Sequence, residues 1–268
     1  MLKPDTSDLT PVFWIVIRFL RQFDPNTIRL LIFDLDGTLI DSRLDLIQSV
    51  NAMLRHLQRP ELSGDVIAGY VGDGAPNLVR RALGGSPDEA EFKTALEYFL
   101  GYYRLHKLDH TVVYAGIPEA LARLAGQKAD GEQRSSPQAP RLMAVLSNKP
   151  VNPSRDIVSA LGLGDFFVRV YGGNSFPTKK PDPLGVQKIL QETGVPAPES
   201  VMIGDSGIDV QTGRNAGVWT CGVTYGFAPH TLEQVPPDVM VDKPVELAEM
   251  LERAAGMGSP KPLIFDSL

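Results

Sequence analysis

Between residues 30 and 241 the chain repeatedly passes through a short apolar run of strand type, stops on a polar residue, and enters a stretch with helical spacing. The runs cover 30–33, 142–146, 166–170, 200–203, 218–224 and 239–241, with helical patterns at about 153–161 and from 183 to about 192. Parallel strands cannot be joined by a tight turn and need a crossover, so this alternation predicts an α/β fold with a doubly wound parallel sheet. In such sheets ligands bind beyond the carboxyl ends of the strands. Asp34, Asp36, Ser147, Lys180, Asp205 and Asp209 follow strands or open helices, so one rim can gather them all.

The run at 30–33 ends in two carboxylates one residue apart, Asp34 and Asp36, followed by Gly37 and Thr38 and then by Asp41 and Ser42. Residues i and i+2 share a strand face, so the two acids can converge. Converging carboxylates repel unless a cation or a shared proton offsets the charge. One acid can then be a nucleophile or metal ligand and the other a proton carrier. The alternative is an Asp- and Gly-rich turn with no chemistry. A calcium loop of EF-hand type is disfavoured, because it needs its glycine at the sixth position and a helix in front.

After Ser42 the spacing turns helical. Leu44, Ile47, Val50, Met53, Leu54 and Leu57 recur on one face, with Asp41 or Ser42 as N-cap, and further helical pieces follow near 63–70, 75–83 and 87–106. The stretch to about His110 contains no strand signal, and the next helix opens near Gly116 with Pro118 in its first turn. The expected organisation is an extension at 1–29, a core of 30–41 and 112–255, a small all-helical insert at 42–111 after the first strand, and a tail at 256–268. The polar stretch 127–140 reads as a surface loop.

Composition narrows the function. A net charge of −6 over 268 residues argues against nucleic acid as a partner. One cysteine, Cys221, rules out an internal disulfide and suits a reducing compartment, so the expected location is cytoplasmic. His56, His106, His110 and His230 lack zinc spacing, so any metal should be a hard cation held by oxygen. The apolar run 11–20 is too short to span a bilayer, contains Arg18, follows Asp5 and Asp8, and lacks a cleavage site; it reads as an extra helix or strand on the domain, or else a partner or membrane-surface contact. No Gly-x-x-x-x-Gly-Lys-Ser loop and no strand-following Gly-x-Gly-x-x-Gly is present, which disfavours nucleotide motors and nicotinamide enzymes.

Taken together, Asp34-Leu35-Asp36-Gly37-Thr38, Ser147, Lys180 before Pro181, and Gly204-Asp205-Ser206-Gly207-Ile208-Asp209 resemble the four ordered motifs of the haloacid dehalogenase superfamily over residues 30–225. The stretch from Val71 to Leu83, with Gly222-Val223-Thr224-Tyr225-Gly226, is similar to phosphoglycolate phosphatases. The resemblance implies a Rossmann-like core with a helical cap, and a phosphatase for a small phosphorylated metabolite, most readily 2-phosphoglycolate. It implies Asp34 as nucleophile, Asp36 as acid and base, and Mg²⁺ held by Asp34, the backbone carbonyl of Asp36 and Asp205. Asp209 would orient water or Lys180, while Ser147, Asn148 and Lys180 would bind phosphoryl oxygens. Gly72, Asp73, Gly74 and Arg81 of the cap would meet substrate; Arg80 or Arg81 contacts a substrate carboxylate or else is a charge on the outer face of its helix.

The remaining expectations are plainer. Lys179 reads as solvated surface and Cys221 as a small core residue. His56, His106 and His110 belong to cap faces or loops, and the chain acts as a monomer or homodimer. The rival activity is a phosphosugar mutase of β-phosphoglucomutase type, or a phosphatase for another sugar phosphate, a nucleotide or pyrophosphate. A dehalogenase has no use for Asp36, and a non-catalytic scaffold has no use for the full motif set.

Overall fold

The structure is a computed structural model that describes residues 17–21, 24–126 and 140–252. Most of the apolar run 11–20, nearly all of the loop at 127–140 and the tail at 256–268 therefore lie outside the described residues. In chain order the elements are β1 (Arg18–Phe19), β2 (Leu30–Phe33), β3 (Ile40–Asp41), α1 (Arg43–His56), α2 (Gly64–Ala68), α3 (Ala75–Ala82), α4 (Glu89–His106), β4 (Val112–Val113), α5 (Ile117–Leu124), β5 (Leu142–Leu146), α6 (Val151–Ala160), β6 (Arg169–Tyr171), α7 (Leu184–Thr193), β7 (Ser200–Gly204), α8 (Gly207–Ala216), β8 (Trp219–Val223), β9 (Val239–Val241) and α9 (Pro244–Glu252).

Seven of these strands form one sheet in the order β1-β9-β8-β7-β2-β5-β6. From β9 to β6 every neighbour is parallel, and β2 lies between β5 and β7, with Phe33 opposite Val145 and Ile203. Alternation along the strands feeds two cores. Leu31, Phe33, Met143, Val145, Val201 and Ile203 join residues of α5, α6 and α9 on one face. Leu30, Ile32, Ala144, Leu146 and Met202 meet α7 on the other, where a Cβ on Gly213 of α8 would come within 3.1 Å of Met202 Cβ. A strand buried on both faces has no polar side to show, which explains the unbroken apolar runs.

The run 11–20, read as an extra helix or strand on the domain, reaches the described residues only at its end, where β1 pairs antiparallel with β9, Arg18 opposite Met240. This short strand covers the open edge of β9, and Arg18 and Arg21 bond Asp242 and Asp238 at 2.7 and 2.8 Å. The run expected as a strand at 166–170 begins as a 3-10 turn, Gly164–Phe166, and becomes β6 only at Arg169. Phe166 and Phe167 are apolar because they pack on the core, not because they pair in the ladder.

Between β3 and β4 the chain is all helical. These two strands pair antiparallel with Ile40 opposite Val113, and α1 to α4 pack around a core of their own that includes Val50, Met53, Ile67, Val79 and Phe99. Asp45, wholly buried in the first turn of α1, locks the return of the chain. Its oxygens accept from the backbone N–H of His110 at 3.0 Å and of Thr111 at 2.8 Å, and from the Thr111 hydroxyl at 2.7 Å. His110 Nδ1 lies 2.9 Å from the same carboxylate.

Candidate active site

The carboxyl ends of β2, β5 and β7 open into a cavity of about 840 Å³, roofed by the helical segment. Asp34, Asp36, Ser147, Asn148 and Asp205 line it, together with Gly72, Asp73, Gly74 and Arg81. Three carboxylates, those of Asp34, Asp205 and Asp209, present oxygens within 4.8 Å of one another, and all three residues are buried.

Each carboxylate is held by the element that delivers it. Asp205 directly follows β7, and its Oδ2 accepts from the backbone N–H of Phe227 at 2.6 Å and of Ala228 at 3.2 Å. Gly37 makes room for it: a Cβ there would lie 2.3 Å from Asp205 Oδ2, and φ is +84°. Asp209, at the start of α8, accepts from Ser206 N and Oγ through Oδ2 and from Lys180 Nζ at 2.6 Å through Oδ1. Lys180 Nζ is also 2.8 Å from Asp34 Oδ1. Beyond this ion pair, no hydrogen bond among the described residues reaches the buried Asp34 Oδ1.

One ammonium among three buried carboxylates leaves an excess of negative charge, and the titration of the groups reflects it. Burial pushes the Asp205 carboxyl up to about 8, with Asp209 and Asp34 adding to the effect. Burial likewise pushes Asp34 up to about 6, against the opposing pull of Lys180 and with repulsion from Asp209. For Lys180 burial works against the charged form, but Asp209 and Asp34 outweigh it and hold the pKa above the ordinary lysine value.

Asp36 stands apart from this cluster. Ser42 Oγ donates to its Oδ1 at 2.5 Å, and Lys149 Nζ donates to Oδ1 at 2.9 Å and Oδ2 at 3.1 Å. Ser42 does stand at the N-cap of α1, but its hydroxyl turns to Asp36 instead of capping the helix. Lys149 was not singled out in the sequence. The only signal was its place just beyond the strand end at Ser147, where a lysine ordinarily points to solvent; here it is buried. Phe227 and Ala228, which bind Asp205 through backbone N–H groups, gave no side-chain signal at all.

The remaining candidates each have partners of their own. Asn148 spends its amide on backbone, donating to Gly72 O at 3.0 Å and Lys180 O at 3.2 Å. Arg81 pairs with Asp73 and donates to Tyr70 O at 3.0 Å, so it braces the loop before α3. Arg80 packs over the ring of Phe92, 4.1 Å from its centroid, within the helical segment and away from the cavity. Lys179 is not solvated surface: it is half-buried, lines the cavity and donates to the carbonyl of Asp73. Cys221 is a buried core residue of β8, and burial pushes its thiol up to about 12. His56 and His106 stack on Tyr98 and Tyr102, on the helical segment.

Comparison with known proteins gives the family. The family model described as haloacid dehalogenase-like hydrolase matches residues 31–223. A protein of Pseudomonas putida named phosphoglycolate phosphatase is 37% identical over 230 residues, covering 83% of this chain and 79% of the relative. One of the same name from Chromobacterium violaceum is 34% identical, covering 84% and 97%. A crystal structure described as a predicted phosphoglycolate phosphatase from Haemophilus somnus superposes with a TM-score of 0.76 at 28% identity, covering 84% of this chain and 99% of that one. Strand-end carboxylates, a lysine between two of them and a matching span of sequence lead to one assignment: the chain belongs to the haloacid dehalogenase-like hydrolases.

Proposed function

We propose that this protein is a Mg²⁺-dependent phosphatase of small phosphate monoesters, with 2-phosphoglycolate as its substrate, and that it works through an aspartyl phosphate on Asp34. The observation that carries the reading is the cavity floor, where Asp34, Asp205 and Asp209 crowd around Lys180 while Asp36 is held separately by Lys149 and Ser42. The names of the relatives support the substrate.

The floor fits a divalent cation. Three carboxylates against one ammonium leave about two negative charges if all are ionised, and every candidate donor is oxygen, which suits Mg²⁺. Asp34, Asp205 and the backbone carbonyl of Asp36 would hold it, with Asp209 engaged by Lys180 and Ser206. When bound, the cation offsets the charge on the phosphoryl oxygens.

The chain's own residues supply the rest. Asp34 attacks phosphorus, converting a slow ester hydrolysis into formation and breakdown of an acyl phosphate. Asp36 protonates the leaving alkoxide, then takes a proton from the water that attacks the aspartyl phosphate. Lys180 and Ser147 receive phosphoryl oxygens. The helical segment 42–111 acts as a cap that limits water and selects the leaving group. No described helix is long and apolar enough to cross a membrane. We assign the activity to the cytoplasm, as a monomer or homodimer.

The test is phosphate release by the purified protein from phosphoglycolate, sugar phosphates, nucleotides and pyrophosphate, with Mg²⁺ or with EDTA. The highest kcat/KM is expected on phosphoglycolate, with no turnover in EDTA or by Asp34→Asn. Interconversion of sugar phosphates without phosphate release refutes the reading in favour of a mutase.

A further inference from the structure

A proton reaches a leaving oxygen only if the carboxyl group that carries it points there, so whatever fixes the plane of Asp36 matters to the rate. Lys180 cannot fix it, because its ammonium is engaged by Asp34 and Asp209. Lys149 can: its Nζ bridges both Asp36 oxygens, at 2.9 and 3.1 Å, where a single hydrogen bond would leave the group free to turn. Lys149 is in turn held from above. Its Nζ lies 4.6 Å from the ring centroid of Tyr103 on α4, close enough for a cation–π contact, and both residues are buried.

We propose that Lys149 is the positioning residue of Asp36, and that Tyr103 keeps Lys149 in place from the helical segment. The inference rests on the phosphatase reading above. In the first half-reaction an Asp34 oxygen forms its bond to phosphorus, the bond from phosphorus to the ester oxygen breaks, and the Asp36 proton moves to that oxygen, so the alcohol leaves neutral. Lys149 touches neither phosphorus nor the ester oxygen in this step; it acts through Asp36.

A leaving group that needs no proton should not feel the loss of Lys149. The experiment compares kcat/KM for phosphoglycolate, which expels an alkoxide, with kcat/KM for p-nitrophenyl phosphate, whose phenolate leaves unaided. This parameter ends at departure of the leaving group, so the second half-reaction does not enter. For Lys149→Met the expected loss is about 100-fold on phosphoglycolate and under about tenfold on the nitrophenyl ester, general acids being worth that range of rate. Tyr103→Leu, which keeps the lysine, is expected to show the same selectivity with a smaller loss, and it serves as the test if Lys149→Met fails to fold by circular dichroism. Equal losses on both esters, or no loss on phosphoglycolate, overturn the proposal. A wild-type protein that releases phosphate from neither ester overturns the phosphatase reading instead.

Discussion

The three crowded carboxylates predict an inverted pH response for the metal-free protein. Burial, with Asp209 and Asp34, raises Asp205 from 3.8 to about 8, so between these values the folded chain keeps a proton that the unfolded chain has lost. The folded state binds more protons, and its stability must therefore fall as pH rises through this window. Over the three units from about pH 5 to about pH 8, at ~1.4 kcal/mol per unit, the loss from this one group is ~4 kcal/mol. Asp205→Asn removes the titration while keeping an oxygen for the N–H groups of Phe227 and Ala228. In urea titrations with EDTA, the stability of the variant relative to wild type should grow by several kcal/mol between pH 5 and pH 8. Mg²⁺ should stabilise wild type at pH 8 far more than the variant. A stability difference that stays constant across this range refutes the reasoning, because the floor would then carry no charge excess for a cation to relieve.

Three further outcomes are expected. Gly37→Ala forces a Cβ to 2.3 Å from Asp205 Oδ2 at a φ of +84°, so it should cost at least ~1–2 kcal/mol in urea unfolding and, by displacing Asp205, lower phosphatase activity out of proportion to that loss. Asp45→Ala strands the buried donors of Thr111 and the backbone N–H of His110, at ~1–3 kcal/mol for each unsatisfied group, and should lower the urea midpoint sharply. Arg80→Ala removes only its packing over Phe92, so stability should drop by ~0.5–1 kcal/mol with kcat/KM for phosphoglycolate unchanged, whereas Arg81→Ala frees the loop before α3 and should raise KM.

The parallel sheet was legible because burial on both faces leaves a mark that survives in one dimension: Leu30 to Phe33, Leu142 to Leu146 and Ser200 to Gly204 carry hardly a polar residue among them. The carboxylates were legible because strand ends punctuate those runs. The helices at 43–56, 64–68, 75–82 and 89–106 were found within a few residues. What escaped is of another kind. Whether Lys149 is buried and whether Phe227 N points at Asp205 depend on contacts between segments dozens of residues apart, for which a single sequence offers no local pattern. Arg80 and Arg81 show the same limit on one helix, since neighbouring residues about 100° apart part company only once the partners on each side are known.

The pairing of Ile40 with Val113 has a consequence for the history of the chain. Where α1 departs and α4 returns, the backbone stands side by side, so the sheet sees one gap of a single strand spacing, however much polypeptide lies beyond it. Segments of other lengths can be spliced at this junction without disturbing β2 or the carboxylates behind it. The sheet with its carboxylates and the helical roof over the cavity can accordingly change as separate inheritances within one gene.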